Sequence, residues 1–223
     1  MRAKLSVVIP TLNAAQALPG CLAALMEGVE AGLIRELVIT DGGSTDATLS
    51  IAEEVGAVLV TGAASRGGQL RRGAEPAAGE WLLFLHADTC LPEGWSGCVA
   101  EHMSTGRPAY FRLEFDKRGI WPTMVAGWAN LRSRVFGLPY GDQGLLISSR
   151  EYQSVGGYRD IPLMEDVALA RALGRRLTML PMRARTSALR YQRDGWLRRG
   201  LRNLSLLLRY LAGADPERLA GRY

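Results

Sequence analysis

Residues 5–13 read Leu-Ser-Val-Val-Ile-Pro-Thr-Leu-Asn, an apolar and β-branched run that ends at a proline. Because a strand covered on both faces is apolar throughout, Leu5 to Ile9 predicts a buried strand of a parallel sheet. Glu36 to Thr40 predicts a second such strand, and it runs into the turn Asp41-Gly42-Gly43-Ser44. The segment 15–31 between them has helical spacing of leucines. Together they predict a β-α-β unit with a right-handed crossover.

The same alternation continues along the chain and predicts an α/β fold with a mostly parallel central sheet flanked by helices. We keep all 223 residues in one domain, because neither a linker nor a repeat interrupts them. Further strands are predicted over residues 57–61, 81–85, 109–115 and 144–148, and further helices over residues 45–55, 67–77, 120–136, 164–173 and 196–211.

The composition is that of a globular protein, with 48% hydrophobic and 22% charged residues. The net charge of +5 is carried mainly by arginines, which are dense in the last third of the chain. Such a local basic patch fits an anionic ligand or an anionic membrane surface. Nucleic acid is disfavoured, since aromatic platforms for bases are not interleaved with the arginines.

Cysteine usage and hydropathy predict a cytoplasmic location. Cys21, Cys90 and Cys98 lack the spacing of a metal site, and their odd number favours free thiols in a reducing compartment. The first residues lack the pattern of a secretory signal. No run approaches the ~18 uncharged apolar residues that cross a membrane.

Polar residues that directly follow the predicted strands are candidates for ligand binding. In an open parallel sheet, ligands bind beyond the carboxyl ends of the strands, so these residues share one edge. The candidates are Pro10, Thr11 and Asn13 after the first strand, Asp41 and Gly42 after the second, and His86, Ala87 and Asp88 after the fourth.

Two of these acids have specific chemical interpretations. Asp88 supplies an oxygen ligand for a hard cation, and His86, two residues earlier, lies on the same side of the strand. Asp41 can accept hydrogen bonds from a nucleobase or a ribose, and the glycines after it allow close backbone approach. In both cases the alternative is an aspartate that only caps the following turn.

Two later segments are also candidates. Glu165-Asp166 opens a helix, where a carboxylate either acts as a general base or simply complements the helix dipole. Gly141-Asp142-Gln143 is a turn before a strand. It either lines a sugar pocket with two hydrogen-bonding side chains or is only a tight turn.

Taken in order, these segments resemble glycosyltransferase family 2, over about residues 5–190. The closer likeness is to a short bacterial subgroup linked to arsenosugar biosynthesis, which has His-Ala-Asp in place of the commoner Asp-x-Asp. The matching segments are residues 6–13 (SVVIPTLN), 41–46 (DGGSTD), 78–80 (AGE), 86–88 (HAD) and 165–166 (ED).

The resemblance implies a GT-A fold with a helical C-terminal tail. It also implies a Mn²⁺ or Mg²⁺ ion and inverting transfer of a sugar from a nucleotide-diphosphate sugar to a small-molecule or lipid-linked acceptor. Residues 1–90 would form the nucleotide-binding half, 91–190 the acceptor half and 191–223 the amphipathic tail.

By position, the resemblance also implies roles for individual residues. Asp166 is the expected catalytic base, with Glu165 as the second candidate, and Asp88 with His86 is the expected metal site. Asp41, Asp88 and Asp166 should therefore meet at one cleft. The donor is assigned to Pro10, Thr11, Asn13, Asp41, Gly42, Arg66, Gln69 and Ala87, and the donor sugar or acceptor to Gly141, Asp142 and Gln143. From the sequence itself, Arg190 and Arg193 follow a stretch rich in Ser, Thr and Arg, where they either contact the diphosphate or form a solvated basic face.

Two other functions stay open at this point. A nucleotidyltransferase that makes a nucleotide sugar would need a glycine-rich loop after the first strand, where this chain has Pro10 to Asn13. A non-catalytic nucleotide- or sugar-binding relative is disfavoured by the presence of both Asp88 and Asp166.

The tail helix has two interpretations as well. Its leucines recur every three or four residues with arginines between them. They pack on the core or on a second copy, giving a homodimer, or they dock on anionic lipid at the inner face of the membrane. Trp121 and Trp128 would extend such a surface or line an acceptor pocket. The leucines are Leu197, Leu201, Leu204, Leu208 and Leu211.

Overall fold

The computed structural model describes residues 3–221 as a central sheet of eight strands with helices on both faces. The strands are β1 (Leu5–Thr11), β2 (Ile34–Asp41), β3 (Val58–Thr61), β4 (Trp81–Phe84), β5 (Thr89–Cys90), β6 (Ala109–Phe115), β7 (Leu145–Ser148) and β8 (Thr178–Thr186). The helices are α1 (Leu18–Glu30), α2 (Thr48–Glu54), α3 (Arg66–Ala74), α4 (Trp95–Met103), α5 (Ile120–Phe136), α6 (Ser149–Ser154), α7 (Glu165–Leu173), α8 (Leu189–Asp194), α9 (Trp196–Leu211) and α10 (Pro216–Ala220), with 3-10 turns at Gly141–Gln143 and Gly174–Arg176.

The sheet has the strand order β3-β2-β1-β4-β7-β6-β8-β5. Its first four strands are parallel, as the alternating pattern predicts. In the other half, β7 runs antiparallel to both β4 and β6, and β5 runs antiparallel to β8. The α/β class and the helix-flanked sheet are confirmed, and the departure from parallel pairing is confined to the second half.

Apolar side chains fill both faces of the sheet. One face packs Val7 and Leu83 against α1 and α4, where Trp95 is completely buried. The opposite face packs Val8 and Phe84 against α3, α6 and α7. Strands that bury alternate residues on two covered faces must be apolar throughout, which explains the runs that mark β1 and β4. Strands from both sides of residue 90 share this one sheet, as a single domain requires. The divisions at residues 90 and 190 stay predictions.

The predicted elements all occur, three of them (β6, α5 and α9) with the predicted bounds and the rest with shifted ends, but several other elements have no counterpart in the predictions. Strand β8, with nine residues, is one of these, and it pairs in parallel with β6. It contains Pro181, Arg183 and Arg185, whose side chains are exposed while Ala184 is buried. Polar residues on one face remove the apolar signal that marked the other strands. The short α6 and α8 lack the length over which helical periodicity shows.

The C-terminal helix α9 packs beside α5 and α7. Predicted helix 196–211 is confirmed as α9, yet most of its predicted leucine stripe faces outward: Leu197 is 59% exposed and Leu201 66%. The side chains that α9 buries are instead Arg199, Leu206 and Leu207. The helix therefore packs on the core through a different face from the one expected. Between residues 3 and 221, no helix combines the length and the apolar character needed to cross a bilayer.

Candidate active site

A cleft opens at the carboxyl ends of β1 and β4, with α8 and α9 forming its opposite wall. It has two compartments that share Arg66, His86, Asp88, Glu165, Arg190 and Arg199. The strand-end compartment, of about 690 Å³, is lined by residues 10–14. The turn compartment, of about 100 Å³, is lined by Tyr140, Gly141, Asp142 and Asp166. Among the predicted site residues, the cleft brings together Pro10, Thr11, Asn13, Arg66, Gln69, His86, Ala87, Asp88, Gly141, Asp142, Glu165, Asp166, Arg190 and Arg193.

Asp41 does not join the other two predicted acids at this cleft. Its side chain is completely buried, and its carboxylate accepts hydrogen bonds from Thr11 Oγ1 and from the backbone amides of Gly43 and Ser44. Ser44 Oγ donates to it as well. These donors hold the pKa of Asp41 below its usual value, although burial opposes them. Asp41 thus shapes the loop, and neither it nor Gly42 lines the cleft; the nucleotide contact expected of both residues stays a prediction.

The Asp41 turn fixes the loop that follows β1. Asn13 has a positive φ of 50°, and its backbone amide donates to Ser44 Oγ at 2.8 Å. In return, Asn13 Oδ1 accepts from the amide of Thr45 at 2.9 Å. Asparagine tolerates this left-handed conformation better than most residues. The two loops therefore form one rigid unit, and it presents Pro10, Thr11 and Asn13 to the strand-end compartment.

Gln69 is also structural, although it borders the cleft. It is 6% exposed, and its Nε2 donates to the carbonyl oxygens of Thr11 at 2.7 Å and Thr40 at 2.9 Å. Its Oε1 accepts from the amide of Ser65 at 3.3 Å. With its amide committed in this way, Gln69 ties α3 to the ends of β1 and β2. The donor contact expected of Gln69 stays a prediction, because the residue also lines the strand-end compartment.

The Gln69→Met variant is expected to lower the free energy of unfolding by about 3 kcal/mol, because two buried carbonyl oxygens lose their donor. For a chain of this size, the melting temperature should fall by about 6–12 °C. Thermal unfolding followed by circular dichroism measures the change. Gln16→Met, at an exposed position, is the matched control. Equal stability of the two variants would contradict the structural role of Gln69.

His86 and Asp88 face both compartments, as their spacing predicts. The one hydrogen bond of the Asp88 carboxylate within residues 3–221 is long, 3.5 Å from Thr186 Oγ1. His86 packs against Gly141, where an added Cβ would lie 2.5 Å from His86 Nε2. Burial lowers the pKa of His86. The imidazole is therefore neutral near pH 7, which is the form that binds metals.

Glu165 and Asp166 start α7 and point into the cleft. Met164 before them has a positive φ of 66°, a strained conformation for a residue other than glycine, and such strain often occurs at functional sites. Glu165 is 2% exposed and lies 3.4 Å from Arg66 Nε. Burial, with Asp166 nearby, raises the pKa of Glu165. Asp166 is more accessible, and its Oδ2 accepts from the amide of Gly141 at 2.9 Å.

Two side chains of the 3-10 turn Gly141–Gln143 differ in their surroundings: Gln143 is buried in the protein, whereas Asp142 lines the cleft. Gln143 is completely buried, where its Oε1 accepts from Ser133 Oγ at 2.6 Å and its Nε2 donates to the carbonyl oxygen of Phe111. These bonds tie the turn to α5 and β6, and the sugar contact expected of Gln143 stays a prediction. Asp142 lines the turn compartment instead, and burial raises its pKa to about 6. Arg132, stacked 3.5 Å from the centroid of the Tyr140 ring, opposes that rise.

Arginines from the C-terminal segment form the wall opposite the carboxylates. The predicted Arg190 lines both compartments, and Arg193 lines the strand-end compartment. Sequence reasoning missed Arg199 and Arg202, which line the cleft beside them. Asp194 accepts from Arg199 Nη1 at 2.6 Å, from Arg193 Nε at 2.8 Å and from Arg202 Nη2 at 3.1 Å. One carboxylate thus orders three guanidinium groups and leaves the cluster positively charged.

The carboxylates of the cleft suit a cation that is coordinated partly by the protein and partly by a bound molecule. Within the described residues, no group of three His, Cys, Asp or Glu side chains is arranged to hold a metal by itself. Magnesium-like ions usually take only one or two carboxylates and complete their shell with phosphate oxygens and water. Asp142 Oδ1 and Glu165 Oε2 are buried without hydrogen-bond partners. The donor set therefore fits a divalent ion held by Asp88 and a diphosphate.

Comparison with known families identifies the class of protein. The model for "Glycosyl transferase family 2" matches residues 6–136, more than half of the chain, and the chain therefore belongs to this family. It is 42% identical over 95 residues to a PGL/p-HBAD biosynthesis glycosyltransferase of Mycobacterium bovis. That match covers 40% of this chain and 36% of the relative, so the chain spans about a third of that protein's length. The arsenosugar subgroup stays a prediction.

Solved structures confirm the GT-A fold. The S. aureus protein TarS in complex with UDP-GlcNAc has a TM-score of 0.64 and 18% identity, over 82% of this chain and 58% of that one. The mannosyltransferase PcManGT from Pyrobaculum calidifontis, in complex with GDP-Man and Mn²⁺, has a TM-score of 0.63 and 18% identity, over 88% and 62%. At these identities the likeness shows the fold.

Proposed function

We propose that the chain transfers a sugar from a nucleotide-diphosphate sugar to an acceptor hydroxyl, with a divalent metal ion and with inversion at the sugar carbon. The observation that carries this proposal is one cleft lined by Asp88, Asp166 and Arg190, contributed by distant parts of the chain. Carboxylates on one wall and guanidinium groups on the other suit a substrate that joins a diphosphate to a neutral sugar.

The donor fits the strand-end compartment. The loop that the Asp41 turn fixes would hold the nucleoside through Pro10, Thr11 and Asn13. Arg66 and Arg190 line both compartments, where they would contact the diphosphate with charge-assisted hydrogen bonds. TarS with UDP-GlcNAc and PcManGT with GDP-Man support this donor class, because they share the fold.

Asp88 would hold the metal ion, with His86 beside it. When bound, the ion would offset the negative charge that develops on the diphosphate as it leaves. The Mn²⁺ in the PcManGT complex supports a metal of this kind. Arg190 and Arg199 lie across the cleft, where they would stabilise the same charge from the protein side.

Asp166 would act as the catalytic base in the turn compartment. The amide of Gly141 and that of Val167, at 2.7 Å, orient its carboxylate. It is then placed to accept the proton of an acceptor hydroxyl as the oxygen attacks the sugar carbon. Glu165 is a weaker candidate, because it is buried and lies against Arg66. Asp142 would bind a sugar hydroxyl of the donor or the acceptor.

A thermal-shift measurement tests the donor class before an acceptor is known. Nucleoside diphosphates with Mn²⁺ should stabilise the protein by about 2.7 kcal/mol at a hundred times their Kd. This corresponds to a rise in melting temperature of about 5–10 °C for a chain of this size. Nucleoside monophosphates under the same conditions are the control.

Two results would favour the alternatives. Stabilisation by nucleoside triphosphates in preference to diphosphates would favour a nucleotidyltransferase. Stabilisation by a diphosphate without release of nucleoside diphosphate from any nucleotide sugar would favour a non-catalytic relative. The acceptor is proposed to be a small-molecule or lipid-linked hydroxyl. A cytoplasmic location, peripheral contact with the inner face of the membrane and a homodimer stay predictions.

A further inference from the structure

Two neighbouring helices expose an unusual number of large apolar side chains. Helices α5 and α9 contact each other, and Phe115 packs between the Ala126 side of α5 and Trp196 at the start of α9. Soluble domains rarely leave apolar patches of this extent uncovered. The apolar face, as we call it, comprises the exposed Ile120, Trp121, Met124, Trp128, Leu131, Val135 and Phe136 of α5 and Leu197, Leu201, Leu208 and Leu211 of α9.

The charge around the apolar face has one sign within the two helices. Neither α5 nor α9 contains an Asp or a Glu. Arg134, Arg198 and Arg209 are exposed on them, and Lys117 and Arg118 are exposed just before α5. Acidic side chains near the face lie outside both helices, such as Asp116 before α5 and Asp215 after α9.

From this combination we propose that the apolar face rests on an anionic lipid bilayer. Helices that lie in a membrane interface combine an apolar face with flanking basic residues that attract anionic headgroups. Tryptophans such as Trp121 and Trp128 favour that interface, because their rings have an apolar body and a polar N–H group.

A second copy of the chain fits the same face less well. In a two-fold symmetric dimer, each patch meets its own equivalent. The exposed arginines of both copies would then face one another without a carboxylate from either helix, and like charges across an interface oppose association. The charge pattern therefore favours an anionic surface over a basic one.

The position of α9 connects this face to the cleft. Arg199, Asn203 and Leu206 line the cleft, whereas Leu197, Leu201 and Leu208 point outward from the same helix. A helix is about 10 Å across, so docking would hold the cleft wall about that far from the lipid. If the proposed sugar transfer holds, this placement favours the lipid-linked acceptor over the small molecule.

Vesicle flotation of the full chain tests the docking surface. The protein should float with phosphatidylcholine vesicles that contain about 30% phosphatidylglycerol and bind pure phosphatidylcholine vesicles more weakly. The triple variant Leu197→Ser, Leu201→Ser, Leu208→Ser should bind the anionic vesicles at least about tenfold more weakly than the parent protein. The reason is that three apolar side chains no longer leave water on binding. The control variant Met26→Ser, Val29→Ser, Val55→Ser removes three apolar side chains that are about half exposed and lie elsewhere on the chain, and it should bind like the parent.

Three results would overturn the proposal: no flotation of the parent protein, equal binding by the two triple variants, or a lipid-free dimer that the leucine substitutions convert to a monomer while no form floats. Stabilisation by a nucleoside diphosphate with Mn²⁺ is measured on the same samples. If it persists without flotation, only the docking surface fails. If flotation persists without it, only the proposed function fails.

Discussion

The Asp88→Asn variant is expected to release nucleoside diphosphate from a nucleotide sugar at least about a thousandfold more slowly than the parent protein. The amide removes the negative charge and one of the two oxygen ligands that a divalent ion would use. The fold should survive, because among the described residues the Asp88 carboxylate accepts only the 3.5 Å hydrogen bond from Thr186 Oγ1, and an amide oxygen can accept that bond too.

Two readouts separate a metal role from a general loss of structure. The added stabilisation by a nucleoside diphosphate with Mn²⁺ over the nucleotide alone should vanish in Asp88→Asn, while its melting temperature without ligand stays near that of the parent. Asp215→Asn is the matched control, since it makes the same substitution at the exposed cap of α10, where asparagine caps equally well. Unchanged diphosphate release by Asp88→Asn would exclude Asp88 as a metal ligand.

The fold was largely predictable because its parallel half is built from strands that are buried on both faces. The run from Trp81 to Phe84 is apolar throughout, and Ser6 is the one polar residue from Leu5 to Ile9, so the sequence itself indicates that both strands are buried. Strand β8 was not predictable, because its exposed Arg183 and Arg185 are explained only by the strands beside it. Antiparallel pairing of β7 also depends on contacts between segments far apart in the chain.

For the site, the residue types predicted where the cleft lies. They did not show which polar side chains face the cleft and which are already hydrogen-bonded within the protein. Asp41 and Asp88 both lie at or just beyond the end of a strand, yet within residues 3–221 four donors surround Asp41 and a single long hydrogen bond reaches Asp88. The side-chain amides of Gln69 and Gln143 likewise form hydrogen bonds with backbone and side-chain groups inside the protein. That difference depends on which loops meet in space, which a single sequence does not contain.

The missed arginines left one signal in the sequence. Arg199, Arg202, Asn203 and Leu206 are spaced three and four residues apart, so they share one face of α9. The regularly spaced leucines indicate the opposite side of the helix as the packing face, but that side is the exposed one. An arginine stripe that includes an asparagine suits a ligand-facing surface better than a solvent-facing one. This pattern therefore predicts the wall of the cleft from the sequence.

The Asp166→Asn variant should lower the rate of sugar transfer by about 10²–10⁴-fold and leave donor affinity within about threefold of the parent value. Asparagine can accept from only one of the two amides that orient Asp166, at Gly141 and Val167, so about 1 kcal/mol of stability should be lost. The amide cannot accept the acceptor proton, which removes the base without removing the shape of the turn compartment.

Glu165→Gln decides between the two neighbouring carboxylates. Glu165 is buried against Arg66 rather than open to the acceptor. Replacing its carboxylate by an amide should therefore lower the stability of the fold and the donor affinity more than the turnover rate. Measuring donor Kd by calorimetry and nucleoside diphosphate release, with water or a hydroxyl as acceptor, resolves the two effects. If Glu165→Gln loses more turnover than Asp166→Asn at unchanged donor affinity, the base is Glu165. If Asp166→Asn weakens the donor while turnover stays normal, Asp166 holds the substrate instead.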